Sequence, residues 1–291
     1  MDILTYLKEK PLLLDGAMGS LLLARGMKRT ERSESWNLSH GEVVREIHRS
    51  YFDAGSNVVL TNTFGANGLF HDEAELRQIV TAAVGHARAA AESSGAPQEK
   101  FVALDIGPCG QLVAPLGEMS PEKARELFAQ VVRFGAEAGA DLVFIETMYD
   151  LTETVSALEA AKANCPLPVF VSNNYSGQGT LMTGADPKEV VARLSDLSAD
   201  AVGMNCSMGA EGLAPLAEEY LRLTDLPVIF KPNAGLPEIV DGVAVYKTTP
   251  ETFAQQTAAV ARKGVRCVGG CCGTTPAHIA ALAKALAQNE I

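Results

Sequence analysis

Leu12-Leu13-Leu14-Asp15-Gly16-Ala17-Met18-Gly19-Ser20 carries an apolar run into an acid and a glycine turn, and the spacing of that turn decides the fold. Seven further short apolar runs follow, over 57–61, 101–105, 142–146, 168–172, 201–205, 227–231 and 266–269, which makes eight with the first at 12–15. They alternate little, as strands covered on both faces do, so a parallel sheet with helices outside is expected. Between them lie segments with helical spacing. Ser120-Pro121, Asp186-Pro187, Thr249-Pro250 and Thr275-Pro276 each set a capping oxygen before a proline at the first helical position, and Glu189 adds a capping-box partner to Asp186. Gly55, Gly95, Gly139 and Gly264 close helical patterns. Such units build either an open doubly wound sheet or a closed barrel. An open nucleotide-binding sheet should show G-x-G-x-x-G after its first strand. Gly16 and Gly19 lack that spacing, Gly177-Gln178-Gly179 fails at Met182, and there is no Walker A lysine. The expected fold is therefore α/β, a single (β/α)8 TIM barrel over residues 1–291, with functional groups at the C-terminal ends of its strands.

With 291 residues, 47 % of them apolar, the chain can bury the core of such a barrel as one domain. A net charge of −11 without long charged runs argues against nucleic acid and anionic membrane as partners, and favours small molecules or another protein. The N-terminus has no basic segment leading into an apolar stretch, and no apolar run is long enough to span a bilayer, so a cytoplasmic protein is expected. Six cysteines are too sparse for a disulfide framework; in a reducing compartment a cluster of them reads as metal binding or catalysis.

Such a cluster is expected from Cys206, which ends the sixth run in Gly203-Met204-Asn205-Cys206, and from the pair in Gly269-Gly270-Cys271-Cys272-Gly273-Thr274 after the eighth. Strands six and eight stand one strand apart around a closed barrel, so the three thiols can meet. Cys109, Cys165 and Cys267 lack this context and read as packing. Three thiolates without a fourth sulfur describe a zinc site with one open position, the arrangement of catalytic rather than structural zinc. The rival reading, a redox-active vicinal pair beside a packed Cys206, leaves the third cysteine and the glycines unexplained. A thiolate-rich zinc suits a further thiol, whose pKa it lowers without oxidising it, so alkylation of a substrate thiol is the expected reaction.

Around the same rim, Asp15 and Glu146 can hold an ammonium group, and the backbone amides of Gly16, Ala17, Met18 and Gly19 can take a carboxylate; together they describe an amino-acid thiol. Alternatives remain: Asp15 as a helix cap, and Glu146 as the acid-base partner of Asp105, itself read as a structural hydrogen-bonder. Thr63, in the polar cluster Thr61-Asn62-Thr63-Phe64 at the end of strand two, and Asn205 are expected among the substrate-binding residues, with the bracing of a ligand loop or a plain turn as the role open to Asn205 and Asn233. Trp36 reads as a core or a lid residue. His40, His48, His71, His86 and His278 lack metal spacing and read as surface or helix residues, with His71 alone in a rim loop.

These motifs, with Thr61-Asn62-Thr63-Phe64-Gly65-Ala66, Glu146-Thr147 and Pro232-Asn233-Ala234-Gly235, resemble the homocysteine S-methyltransferases over nearly the whole chain, most strongly the homocysteine-binding module of cobalamin-dependent methionine synthase. The resemblance implies a (β/α)8 barrel in which Cys206, Cys271 and Cys272 ligate Zn2+ and the homocysteine sulfur joins them. It also implies that Asp15 and Glu146 hold the amino group and that amides near Gly16 to Gly19 take the carboxylate. In methionine synthases such a module is followed by folate- and cobalamin-binding modules, whereas this sequence ends at Ile291, so the donor is not implied. A methylated corrinoid (methylcobalamin) supplied in trans by a separate protein is expected ahead of S-methylmethionine or S-adenosylmethionine. Betaine is disfavoured, because a quaternary ammonium wants an aromatic cage and only Phe64 and Tyr149 are obvious rim aromatics. Two rivals of other classes are a Schiff-base aldolase or lyase using Lys231, and a metal-storage or thiol-sensing protein without turnover.

Overall fold

The computed structural model describes residues 1–240 and 243–288; residues 241–242 and 289–291 of the expected domain lie outside the described residues. Seven strands come first: β1 (Leu12–Leu13), β2 (Val58–Leu60), β3 (Phe101–Ile106), β4 (Leu142–Met148), β5 (Val169–Asn173), β6 (Ala201–Gly209) and β7 (Val228–Asn233). A small antiparallel hairpin, β8 (Glu238–Val240) with β9 (Val243–Val245), is inserted before the last barrel strand, β10 (Cys267–Val268). Around the sheet the order is β1-β10-β7-β6-β5-β4-β3-β2, all parallel. A parallel bridge between Leu14 and Val58, with Asn57 N donating to Leu13 O at 2.6 Å, joins the two ends. The fold is a (β/α)8 barrel, and each expected run overlaps one of its strands.

Local chemistry sets the helix starts as expected. Helices Pro121–Glu137, Pro187–Asp196 and Pro250–Ala261 begin where Ser120, Asp186 and Thr249 accept from the amide three residues on. The reciprocal capping box forms not at Asp186 but at helix Pro276–Ala287, where His278 returns the bond of Thr275. Gly55, Gly139 and Gly264 take φ of 105°, 91° and 114°, a region that L side chains avoid. Gly95 does not close its helix: Glu73–Ser93 runs out into extended Ser94.

Strand periodicity divides the core in two. Leu12, Leu14, Val58, Leu60, Phe144 and Phe170 point into the barrel, whereas Leu13, Val59, Ile145 and Val171 meet the helices. Helix Ile3–Glu9 closes the N-terminal end of the barrel with Ile3 and Leu7, and Arg266 Nη2 donates to Leu7 O at 2.6 Å. Trp36 is buried and stacks on His40 with ring centroids 3.9 Å apart. Among the described residues no helix is long and apolar enough to cross a membrane.

Candidate metal centre and active site

At the opposite end, β6 keeps its pairing to β7 through Asn205, and then its register shifts before Gly209. Within that irregularity Cys206 and Ser207 adopt φ of 63° and 55°, a left-handed conformation costly for residues with a Cβ. The bulge turns the Cys206 side chain toward the loop after β10. That loop is clamped to the end of β7: Cys271 N donates to Pro232 O at 2.8 Å, Cys272 N to Asn233 Oδ1 at 3.0 Å, and Ala234 N to Cys272 O at 2.9 Å. Gly269 permits the approach of the chain carrying Asp15, whose carbonyl oxygen would lie 2.9 Å from any Cβ there.

As a result the sulfurs of Cys206, Cys271 and Cys272 lie within 4.8 Å of one another, with Cys206 Sγ and Cys272 Sγ 3.8 Å apart. Tetrahedral zinc with bonds of about 2.3 Å places its sulfurs about 3.8 Å apart, so the donor set fits such an ion. Bonding to Cys271 favours the Cys206 thiolate, but bonding with Cys272 and burial outweigh it and push this thiol up to about 11. For Cys272, bonding to Cys206 pulls down while bonding with Cys271 and burial push up, to about 12. A cation among the sulfurs is the group that reverses this balance.

Beside the sulfurs lies a cavity of about 360 Å³, lined by Asp15, Gly16 to Gly19, Asp105, Glu146, Lys231 and the three cysteines among others. Lys231 is buried, with Nζ 2.8 Å from Glu146 Oε2 and 3.8 Å from Asp15 Oδ1. Burial works against its charge, but Glu146 and Asp15 outweigh burial and hold its pKa above the usual lysine value. A Schiff-base nucleophile must be a neutral amine, so the aldolase reading loses its residue. Burial pushes Asp15 up to about 7 against the pull of Lys231 and of the Leu60 amide, which donates to Asp15 Oδ2 at 2.8 Å. Asp105 is driven well above the usual carboxylate range by burial and then by Glu146. Asp15 does not cap helix Gly19–Ala24, whose N-cap is Met18. Asp105 bonds through its backbone, its N donating to Thr61 Oγ1 at 3.1 Å and its carbonyl oxygen accepting from Thr63, while its Oδ1, like Asp15 Oδ1, is buried without a hydrogen-bond partner.

Asn205 stands fully buried behind the cavity wall. Its Oδ1 accepts from Thr147 N and Ser172 Oγ, each at 2.8 Å, and its Nδ2 donates to Thr147 Oγ1 at 2.7 Å. Those bonds hold Thr147 at φ 60°, so Glu146 and Cys206 are braced by the same amide. Thr63 likewise lies behind the wall, donating to Asp105 O at 2.7 Å. Of the four amides in the glycine turn, that of Ala17 is engaged by Thr274 Oγ1 at 3.2 Å. His48 and His278 lie in helices, as read, and are buried there; His71, in its loop, is buried rather than superficial and pairs with buried Glu34, Nε2 to Oε1 3.3 Å. The residue that sequence reasoning missed is Tyr246, just beyond the hairpin, whose ring lies against Gly273 beside the cysteine pair. No motif marks it.

Residues 12–286 match the model of the homocysteine S-methyltransferase family. The chain is 32 % identical to methionine synthase of Mycobacterium tuberculosis and 31 % identical to that of Mycobacterium leprae, in each case over 99 % of this chain and 25 % of the relative, so it spans about a quarter of their length. The metallated form of the Escherichia coli homocysteine methyltransferase MmuM superposes with a TM-score of 0.81 at 28 % identity, covering 98 % of this chain and 99 % of that one. With the barrel and its sulfur cluster, these matches lead to one conclusion: the chain belongs to the homocysteine S-methyltransferase family of enzymes.

Proposed function

We propose that residues 1–291 act as one homocysteine-binding barrel that holds a zinc ion through Cys206, Cys271 and Cys272 and methylates homocysteine on sulfur, giving methionine. The observation that carries this reading is the convergence of three sulfurs within 4.8 Å at a cavity with acid groups in its wall. Bound zinc supplies a lowered pKa for a substrate thiol without redox chemistry. The chain's own residues do the positioning. Asp15 and Glu146 receive the substrate ammonium, whose protons satisfy the unbonded Asp15 Oδ1, and Lys231, 2.8 Å from Glu146 Oε2, fixes the position of that carboxylate. Gly16, Met18 and Gly19 face the carboxylate from the glycine turn, while Asn205 and Thr63 act from behind by fixing Thr147 and the Asp105 backbone. As the S–CH3 bond forms, the donor–CH3 bond breaks and its electron pair stays with the donor; the thiol proton leaves to solvent.

For the donor we favour a methylated corrinoid carried by a separate protein, which would dock on a rim that exposes Phe64, Tyr149 and Met182. A sulfonium donor is the second reading, because the Phe64 and Tyr149 rings at the cavity mouth can face its positive charge. Six free thiols suit a reducing, cytoplasmic compartment. The test is purified, zinc-loaded protein with homocysteine and each donor in turn, following methionine by mass spectrometry. Methionine from methylcobalamin is expected. Turnover only with S-methylmethionine or S-adenosylmethionine would reverse the donor order, and no methionine from any donor would overturn the reading.

A further inference from the structure

We propose that the Asp105 side chain is a third recognition group for the substrate ammonium, accepting one of its N–H groups beside Asp15 and Glu146, so that the cavity selects thiols carrying a free primary amine. This inference rests on the function proposed above, in which the Asp105 carboxyl has no part. Strand alternation brings that carboxyl to the cavity. Phe101 and Ala103 of β3 line the barrel interior, so Asp105, two residues on, faces the same way. Its partner in register on β4 is Phe144, another interior residue, and Glu146 follows two residues later on the same face. Lys231 Nζ lies 5.2 Å from the Phe144 ring centroid, which sets lysine, Glu146 and Asp105 around one floor. Two threonines just beyond β2 hold the Asp105 backbone from both sides: its N donates to Thr61 Oγ1 at 3.1 Å, its O accepts from Thr63 Oγ1 at 2.7 Å, and the two hydroxyls lie 2.7 Å apart. So firm an anchor carries a side chain whose Oδ1 bonds to nothing.

A buried acceptor without a donor costs free energy, and a ligand that supplies the donor recovers it. The ion pairs of Lys231 go to Glu146 and Asp15, so the lysine does not serve Asp105. Three acid side chains thus line a cavity that holds one lysine. The group they lack is a cation rich in N–H donors, and a primary ammonium has three. A site built to bond a substrate group rejects the analogue without it, because the site's own buried groups then stay unpaired.

The test uses the intact chain loaded with Co2+, whose thiolate-to-cobalt charge-transfer band reads a bound thiol without turnover. It is titrated with homocysteine and with γ-mercaptobutyrate, the same thiol without the amine, and the ratio of the two affinities is the readout. Asp105→Ala should melt no lower than the parent, because it deletes an unpartnered buried group, and should cut the ratio about 10- to 100-fold through weaker homocysteine binding alone. Asp105→Asn, which keeps one acceptor oxygen, should move the ratio in the same direction by less. An unchanged ratio in Asp105→Ala, an equal loss for both thiols, or a collapsed melt would each assign the side chain to structure and overturn the inference alone. A parent chain whose band does not respond to homocysteine would overturn the proposed function as well.

Discussion

The two ends of this barrel are built on opposite principles. At the N-terminal end the strands are regular, the lining is Leu12, Val58, Phe101 and Ala103, and helix Ile3–Glu9 seals it. At the C-terminal end two strand pairings slip register, Thr147, Cys206 and Ser207 sit at positive φ, and two buried acids, Asp15 and Glu146, share one lysine. Left-handed backbone at residues with a Cβ and unbonded carboxyl oxygens cost stability, and they persist only where the surrounding fold over-determines them. The comparison teaches a division of labour: one end supplies the stability that the other spends on a reactive site.

The largest expected effect tests whether the ends are separable. Cys206→Ser should lose zinc and reduce methyl transfer by roughly 10³-fold or more, since metal activation contributes several kcal/mol and each 1.4 kcal/mol is a factor of ten. Its thermal melt should stay near the parent's, and a collapsed melt would break the comparison. Phe170→Ala, at the sealed end, should do the reverse: a loss of about 3–5 kcal/mol in denaturant unfolding, with one zinc per folded chain retained. Glu146→Gln removes a charge-assisted contact of about 1.5–3 kcal/mol, so homocysteine should bind about 10- to 100-fold more weakly by calorimetry, whereas an unchanged affinity would remove Glu146 from the site.

Two pH effects are smaller. Asp15 is pushed up to about 7, so its carboxyl is neutral below that value and anionic above it. Homocysteine binding should therefore strengthen as pH rises through 7, and Asp15→Asn should flatten that rise. His48 is buried, has no hydrogen-bond partner on either ring nitrogen, and is pulled down to about 3 by burial and then by His86. As pH falls below the ordinary value of about 6.5 the unfolded chain takes up a proton that the folded chain refuses, so stability is lost progressively down to about 3. His48→Phe should remove that contribution and flatten melting temperature against pH in this window; parallel curves would contradict it.

What could be read before the structure was whatever depends on nearest neighbours or on unusual residue types. Asp186-Pro187 and Thr249-Pro250 announce helix starts because cap and proline act within one turn. Cys206, Cys271 and Cys272 stand out because three thiols at strand ends have few other uses. The ion pair of Lys231 with Glu146 was hidden, since it joins side chains 85 positions apart and a lysine at a strand end is ordinarily solvated. Asp105 read as structural because nothing local says that its Oδ1 will be buried without a partner. The bulge at Cys206 carries no glycine to announce it, and Tyr246 comes to lie against Gly273 only through the path of a hairpin.

The central claim is that sulfurs from β6 and from the loop after β10 share one ion and leave space for a guest thiol. X-ray absorption at the zinc edge counts those sulfurs directly. Three sulfurs at about 2.3 Å in the zinc-loaded chain, rising to four when homocysteine is added, is the result expected here. A sulfur count that does not change with homocysteine, or that is the same in Cys206→Ser as in the parent, would contradict it.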